Sequence, residues 1–350
     1  MKMIQYLWGI LLIVAVASCA SNPTQKESIP ILEALRDSIE QDVYKKIQAV
    51  VVYQKGKVLV EEYYNGMTKD GIHDARSVGK SITSALLGVA IDEGHIESLD
   101  LPLSDFFNLE DYENYSDQKA QITLRDLVTM SSNFDGNDDD PASPGNEENM
   151  YDKPNWVQWA LNLPLDSTRK SGESWAYFTA GTILIGDILN RAVPNGLEQY
   201  SKEKLFDPLG NQNYSWSFTP QEVPSTAGNF RTTALGFADF GQMYLNRGNW
   251  KGQRIISEQW IKESLTPHIK TSYDPRSYGY FWWTKDLSFD DAIYHMAYCS
   301  GNGGNKIYLI KELDAVIVIL ASAYGTNYMH RQAREITQQF LLPIIRNTAS

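Results

Sequence analysis

The chain has 350 residues, of which 43% are hydrophobic and 21% charged, and its formal net charge is -12. This amount of apolar material supports a large folded core and excludes an intrinsically disordered chain. An acidic chain with no basic patch does not neutralise phosphates, so we predict no nucleic-acid partner.

The N-terminus has the composition of a secretory signal peptide. The apolar run Leu7 to Val16 is about ten residues long, whereas a membrane-spanning helix needs about 20. It ends in Val16-Ala17-Ser18-Cys19, which resembles the bacterial lipobox, a motif whose cysteine carries lipid. We therefore predict a lipoprotein signal peptide over residues 1–18, lipidation of Cys19 and a polar tether over 19–29. An ordinary signal peptide cut nearby is the alternative.

A lipidated cysteine implies a location in the cell envelope, anchored to a bacterial membrane and facing the periplasm or the cell surface. The only other cysteine is Cys299. If Cys19 carries lipid, no intrachain disulfide can form, and the core must supply the stability. The five histidines are scattered and no metal motif occurs, so we predict no metal and no cofactor.

Both ends of the folded region predict a β-hairpin. Residues 48–53 and 58–64 flank a turn that contains glycine, and residues 305–310 and 315–320 flank a polar break. We predict that the two hairpins share one antiparallel sheet, which helices over about 31–44 and 328–345 cover.

The middle of the chain has helical periodicity. The clearest helices are expected at 81–92, 124–130, 156–161, 182–191, 235–245 and 258–264. The resulting fold class is α+β, in which a mainly helical lobe interrupts the sheet. We place one domain over residues 30–345, with a sheet lobe at about 30–75 and 266–345 and a helical lobe at about 76–265.

Residues 131–153 form a long segment rich in Asp, Asn, Gly and Pro. Asp135, Asn137 and Asp139 have the spacing of a calcium loop, but Asp140 stands where its turn glycine belongs and Asn146 where its bidentate glutamate belongs. We interpret the segment as a solvated surface loop.

The strongest chemical signal is the pair Ser77 and Lys80. Residues three apart share one face of a helix, so the hydroxyl and the amine can meet. A lysine can activate a serine only when burial lowers its pKa. Small and apolar residues over 79–91 predict a buried helix that meets this condition. Ser77 in the first turn of that helix would also lie at its positive dipole end, which favours a developing oxyanion.

Serine and lysine have the same spacing at three other places, which limits the value of the motif alone. Ser116/Lys119, Ser167/Lys170 and Ser201/Lys204 lie in polar segments, and we interpret them as chance matches. Gly79-Lys80-Ser81 also suggests a phosphate-binding loop, but Asp74 stands where the first glycine of that loop belongs.

Several segments together resemble the serine β-lactamase-related hydrolases, which include class C β-lactamases, D-Ala peptidases, esterases and aminohexanoate-oligomer hydrolases. Besides Ser77 and Lys80, the similar segments are 122–132, 230–248 and 278–283. The resemblance covers about residues 45–340. It implies a β-lactamase/transpeptidase-like fold and a serine nucleophile.

The resemblance assigns a role to Tyr177. The family has a Tyr-x-Asn motif, and Tyr177 occupies the tyrosine position while Thr179 replaces the asparagine. By that resemblance the phenol relays protons between Ser77, Lys80 and the leaving group, and a cationic neighbour would lower its pKa. Thr179 can make one hydrogen bond but cannot replace both halves of an amide.

The family's third motif, Lys or His followed by Thr or Ser and then Gly, aligns with Cys299-Ser300-Gly301. The resemblance makes Ser300, Gly301 and Asn302, together with Thr179 of the second motif, substrate-binding residues. It makes the N–H groups of Ser77 and Asn302 the oxyanion hole. The motif's cation, which would hold a substrate carboxylate, is absent. Arg231 or another basic group is a candidate substitute.

We therefore predict an exported serine hydrolase that cleaves a small carboxylic ester, amide or peptide lacking that carboxylate, through an acyl-enzyme at Ser77. Six aromatic residues are candidates for an apolar pocket: Trp156, Trp159, Trp175, Tyr280, Trp282 and Trp283. A penicillin-recognising β-lactamase or D-Ala peptidase is one alternative. The other is a catalytically silent envelope lipoprotein that keeps the fold as a binding module. The oligomeric state is left open.

Overall fold

The computed structural model describes residues 23–349. The predicted signal peptide and Cys19 lie outside the described residues. The first helix, α1 (Pro23–Glu40), begins eight residues before the predicted start at 31. Residues 23–29, which we assigned to the tether, are therefore helical. A helix accepts proline at its first position, where no backbone N–H is needed, so Pro23 can begin one.

Thirteen strands lie within residues 23–349. They are β1 (Ile47–Gln54), β2 (Lys57–Tyr63), β3 (His73–Asp74), β4 (Tyr214–Ser215), β5 (Arg231–Thr232), β6 (Asn249–Trp250), β7 (Gln253–Arg254), β8 (Ile269–Lys270), β9 (Ser277–Tyr278), β10 (Trp283–Phe289), β11 (Ala292–Gly301), β12 (Asn305–Ile310) and β13 (Ala315–Ala321).

Eight of these strands form the main sheet, in the order β2-β1-β13-β12-β11-β10-β9-β8. β1 and β13 pair antiparallel, with Val51 opposite Val318. The prediction that the two ends of the chain share one antiparallel sheet is therefore confirmed. The hairpin β10–β11 was not predicted as a unit, because its exposed residues alternate with few strongly apolar ones.

The α-helices after α1 are α2 (Gly79–Asp92), α3 (Asp117–Ala120), α4 (Leu124–Val128), α5 (Trp156–Asn162), α6 (Thr179–Ala192), α7 (Gly196–Ser201), α8 (Asp207–Leu209), α9 (Ala234–Leu245), α10 (Glu258–Leu265), α11 (Met329–Ile336) and α12 (Leu342–Ala349). Each helix predicted in the middle of the chain has a counterpart within a few residues. The α+β class is confirmed.

Helices cover the central strands of the sheet. α9 packs on β12 and β13, where a Cβ added to Gly241 would lie 2.7 Å from a methyl group of Val316. α11 packs against β12, and α1 against α12. All of β13 is buried as a result. Among the described residues, no helix is long and apolar enough to cross a membrane.

Candidate active site

Ser77 lies in a short 3₁₀ turn, Arg76–Val78, immediately before α2. Arg76 has a φ of 54°, a left-handed conformation that is strained for a residue with a side chain. Its N–H donates to Asp74 Oδ1 at 2.9 Å, and its guanidinium lies 4.7 Å from the ring centroid of Tyr324. These contacts hold the turn that presents the Ser77 hydroxyl.

The amine of Lys80 lies against that hydroxyl. Lys80 Nζ is 2.8 Å from Ser77 Oγ and donates a short hydrogen bond to the Ala227 carbonyl. The side chain is buried in the first turn of α2. Burial lowers the pKa of Lys80, and the carboxylates of Glu147 and Asp138 partly offset this effect. The pKa therefore moves in the direction needed for a general base.

Tyr177 completes the cluster. Its side chain lines the cavity beside Ser77, and Lys80 Nζ lies 5.2 Å from the centre of its ring. Burial raises the pKa of Tyr177 well above its usual value, against a smaller lowering by the Ser77 hydroxyl. The expectation of a lowered pKa was wrong, because burial dominates and the carboxylates of Glu147, Asp138 and Asp139 raise the pKa further. Tyr177 is a protonated phenol at neutral pH.

β11 brings the third segment to Ser77. A Cβ added to Gly301 would lie 1.9 Å from the Ala75 carbonyl oxygen and 3.3 Å from the Ser77 nitrogen. Only glycine permits this approach, which places the backbone that precedes Asn302 against the nucleophile turn. Asn302 Oδ1 accepts a hydrogen bond from the Gly325 N–H at 2.8 Å, which holds the loop after the strand.

These elements surround a cavity of about 310 Å³. Ser77, Tyr177, Ser300, Gly301 and Asn302 line it, as the sequence analysis expected of substrate-binding residues. Thr179 does not. Thr179 is fully buried at the start of α6, and its N–H donates to Asp138 Oδ2 at 2.8 Å.

The segment 131–153 is not simply a solvated surface loop. Asp138, Asp139 and Glu147 line the cavity, and Asn146 is buried and donates to the carbonyls of Asp138 and Asp140, at 3.1 Å each. These bonds fold the segment back onto the site. The polar composition of the segment did not predict that it folds onto the cavity, because its buried polar groups form hydrogen bonds with one another.

Asp138 connects this loop to Tyr177. Its N–H donates to the Tyr177 carbonyl at 2.8 Å, and its carboxylate accepts from the N–H groups of Thr179 and Glu147, at 2.8 Å each. Burial, reinforced by the charge of Glu147, raises the pKa of Asp138 to about 7. Asp138 is a functional candidate that the sequence analysis missed.

The third motif has no cation of its own, but a cation on the neighbouring strand lies beside its serine. Cys299 is 1% exposed and lies beside Ser81 on the face away from Ser300, and burial raises the pKa of its thiol. Lys306 of β12 lies opposite Ser300 in the strand register and donates a short hydrogen bond to the Ser300 hydroxyl. Arg231, the suggested substitute, is exposed on β5 and does not line the cavity.

Of the aromatic residues proposed for the pocket, Trp283 lines the cavity and the other five do not. Trp283 stacks on Tyr177 with ring centroids 6.0 Å apart, and Trp175 packs on both rings from behind. Trp282 is fully buried between α9 and the sheet. The aromatic wall therefore supports Tyr177 more than it forms an apolar pocket.

Comparisons with known proteins agree with this geometry. The Beta-lactamase family model matches residues 40–340. The 6-aminohexanoate-dimer hydrolase of Paenarthrobacter ureafaciens is 26% identical over 342 residues, which cover 90% of this chain and 83% of that protein.

Two solved structures share the fold. The putative 6-aminohexanoate-dimer hydrolase from Bacillus anthracis has a TM-score of 0.72 at 18% identity and covers 91% of this chain and 81% of its own. A putative β-lactamase from Bacteroides dorei has a TM-score of 0.71 at 19% identity and covers 90% of this chain and 98% of its own. The chain belongs to the Beta-lactamase family. It is a hydrolase of the serine type that defines this family.

Proposed function

We propose that this protein hydrolyses a carboxylic ester or amide through an acyl-enzyme at Ser77. The observation that carries the proposal is the convergence of an amine and a phenol at one hydroxyl: Lys80 Nζ lies 2.8 Å from Ser77 Oγ, and Tyr177 lines the same cavity with the centre of its ring 5.2 Å from Lys80 Nζ. A nucleophile with an adjacent base and acid in a cavity is the arrangement that acyl transfer requires.

Acylation follows from the protonation states. The neutral amine of Lys80 takes the proton of Ser77, and Oγ attacks the substrate carbonyl carbon. The N–H groups of Ser77 and Asn302 stabilise the oxyanion. Tyr177 then gives its proton to the leaving oxygen or nitrogen as the bond to the acyl carbon breaks, and the Lys80 ammonium returns a proton to the phenolate.

Deacylation reverses these roles with water as the nucleophile. As water attacks the acyl carbon, Tyr177 passes its own proton to the neutral Lys80 amine and takes a proton from the water. The Lys80 ammonium then gives a proton to Ser77 Oγ as the bond to the acyl carbon breaks and the acid product leaves. The same groups can cleave an ester or an amide. An amide depends more strongly on Tyr177, because an amine leaves only after protonation. The Paenarthrobacter relative is named as a hydrolase of the 6-aminohexanoate dimer, and this name supports an amide substrate.

Labelling with a fluorophosphonate probe tests the nucleophile. We expect the folded wild-type domain to be labelled at Ser77, the Ser77→Ala variant to be inert, and the exposed-site control Ser288→Ala to be labelled like the wild type. Absence of labelling in folded wild-type protein would instead favour the silent binding module.

Recognition of penicillin is a second candidate, which Lys306 favours. β-Lactams carry a carboxylate, and although the third motif has no cation to hold it, the Lys306 ammonium on β12 lies beside the Ser300 hydroxyl. Stoichiometric acylation by labelled penicillin, abolished in Ser77→Ala, would establish it. Labelling by fluorophosphonate alone would restrict the function to other esters and amides.

We also propose that the protein is exported and anchored by lipid at Cys19. The sequence of residues 1–19 supports this. In a bacterial host we expect labelled palmitate in the membrane-bound wild type. The Cys19→Ser variant should lose the label and leave the membrane fraction. An unlabelled, soluble wild type would contradict the proposal.

A further inference from the structure

A buried hydrogen-bond network lies behind the active site, between the two segments whose N–H groups face the oxyanion in the proposed mechanism. Ser77 follows β3, and Asn302 lies in the turn between β11 and β12. His73 of β3 and Asn305, the first residue of β12, meet between these segments, with His73 Nε2 3.0 Å from Asn305 Oδ1. Both side chains are buried, and neither lines the cavity.

The amide of Asn305 holds the turn that carries Asn302. Its Nδ2 donates to the Asn302 carbonyl at 2.7 Å, and its Oδ1 accepts from the Ala321 N–H at 3.0 Å. Gly303 and Gly304 in this turn have φ values of 93° and 95°, a region that glycine enters readily and other residues do not. Because glycines are free to adopt many conformations, the bond from Asn305 helps to fix the orientation of the Asn302 peptide.

His73 is the hydrogen-bond donor to this amide. A flipped Asn305 side chain would set its NH₂ group against the Ala321 N–H, so the oxygen is the atom that faces His73. Nε2 must therefore carry a hydrogen. Burial lowers the pKa of His73, so at neutral pH the ring is neutral and Nε2 holds its single N–H. The Tyr324 oxygen is farther from Nε2, at 3.5 Å, which makes Asn305 the nearer acceptor.

Tyr324 connects the His73 ring to the turn that presents Ser77. The two rings stack with centroids 6.4 Å apart, and the Tyr324 hydroxyl donates to the Asp74 carbonyl at 2.9 Å. The guanidinium of Arg76 lies over the same tyrosine ring. The residues before Ser77 and the turn after β11 are thus joined by side chains as well as by the sheet.

We propose that Asn305 and His73 are positioning residues, which set the spacing between the oxyanion-binding N–H groups of Ser77 and Asn302. Neither residue touches the substrate, and each acts through the backbone it holds. This inference rests on the proposed function, since it concerns the same site. A displacement of about 1 Å at a reacting group can cost about 10²-fold in rate, so a small movement of the turn should be measurable.

The kinetics of fluorophosphonate labelling test the proposal without a known substrate. Negative charge develops on the phosphonyl oxygen as Ser77 attacks, so the labelling rate depends on the oxyanion-binding N–H groups. The end-point of labelling counts the sites that hold a reactive serine. Asn305→Ala removes both amide groups. We expect its second-order labelling rate to fall by about 10- to 100-fold while the end-point stays near that of the wild type.

Two substitutions of His73 separate the donated hydrogen bond from the ring and carry the test if Asn305→Ala does not fold. His73→Phe keeps the aromatic ring and removes the donor. We expect its labelling rate to fall by about three- to tenfold, the effect of one neutral hydrogen bond. His73→Gln loses the ring but keeps an N–H donor near the position of Nε2, and it should retain most of the wild-type rate.

His268→Phe is the matched control. His268 also stacks on a tyrosine, Tyr280, and its Nε2 lies 2.8 Å from the Glu263 carbonyl, but it does not line the cavity. This variant should be labelled at the wild-type rate. An unchanged rate in Asn305→Ala or His73→Phe overturns the positioning role of that residue, and equal losses in His73→Phe and His73→Gln overturn the role of the donor. Wild-type protein that is not labelled at all overturns the proposed function instead.

Discussion

Burial acts in opposite directions on the two groups that touch Ser77, and together these effects assign their roles. A buried amine loses its proton more readily, and a buried phenol keeps its proton more strongly. Lys80 is therefore the base, and Tyr177 is the acid. The spacing of Ser77 and Lys80 was readable from the sequence because both lie within one helical turn. The protonation state of Tyr177 was not readable, because it depends on a cavity formed by distant segments.

Removing the phenol oxygen should impair catalysis and leave the nucleophile in place. We expect Tyr177→Phe to lower kcat by about 10²- to 10⁴-fold, the usual contribution of a positioned acid. The loss should be larger for an amide than for the matching ester, because only the amide leaving group requires protonation. Tyr273→Phe, at another tyrosine of the cavity wall, is the control. Equal losses for the amide and the ester would contradict the role of Tyr177 as acid.

At the scale of elements, the loop 131–153 and the helix α6 position Tyr177 jointly. Asp138 connects them through the Tyr177 carbonyl and the Thr179 N–H. Helix α6 was predictable from its periodicity. The contribution of the loop was not, because Asp138 makes hydrogen bonds to backbone groups about 40 residues further along the chain, and such bonds leave no pattern in a single sequence.

The charge of Asp138 should affect the pH profile as well as the rate. Asp138 raises the pKa of Lys80, so Asp138→Asn should move the acid limb of kcat/KM to lower pH. It should also reduce kcat, because an amide has one oxygen to accept the two N–H bonds. Asp139→Asn should shift the profile less, since Asp139 has no comparable effect on Lys80. A lower kcat with an unchanged profile would indicate a purely structural role.

Lys119 shows how a chance match in sequence can still be important for the fold. We interpreted its serine spacing as a chance match in a polar segment, but Lys119 is fully buried. It donates to the carbonyls of Glu113, Leu161 and Leu163 at 3.1, 3.0 and 2.7 Å. Burial lowers its pKa to about 8. It therefore joins the end of α5 to the segment before α3.

Removal of this ammonium leaves buried carbonyls without a donor. We expect Lys119→Met to lower the free energy of unfolding by at least about 2 kcal/mol, given ~1–3 kcal/mol for an unsatisfied buried group. Lys170→Met, at a lysine with the same serine spacing and 78% side-chain exposure, should change it by less than about 0.5 kcal/mol. Urea denaturation measures both, and equal effects would show that the three hydrogen bonds contribute little.

At the scale of the whole molecule, the chain has a net negative charge, but four cations line one wall of its active-site cavity: Arg276, Lys285, Lys306 and Arg334. Net charge led us to predict no nucleic-acid partner, but it gave no indication of this local reversal of sign. The four cations come from four different elements, and only the packing of α11 and β8–β10 against β11 and β12 brings them together.

This packing makes stability depend on pH. The pKa of Lys306 is about 7 in the folded protein and near 10.5 in the unfolded chain. Between these values the unfolded chain binds more protons, so Lys306 makes stability rise with pH, by up to about 1.4 kcal/mol per pH unit. We expect Lys306→Met to lose this slope between pH 7 and 9, and Lys270→Met, at an exposed residue of β8, to keep it. Denaturation experiments between pH 7 and 9 measure how stability changes with pH. Equal slopes for the wild type and both variants would be inconsistent with a buried Lys306 that loses its proton in this range.

The sequence by itself determined the features that depend on neighbours along the chain: the buried helix after Ser77, the position of Lys80 one turn away, and the strands of the two terminal hairpins. Local periodicity and spacing encode these directly. Tertiary structure decided which groups surround that helix. Lys306 lies beside Ser300 because the two residues are opposite each other in the sheet, and Asp138 reaches Tyr177 because a polar loop folds inward. Strand register and loop closure depend on the whole core, so no short segment of sequence specifies them.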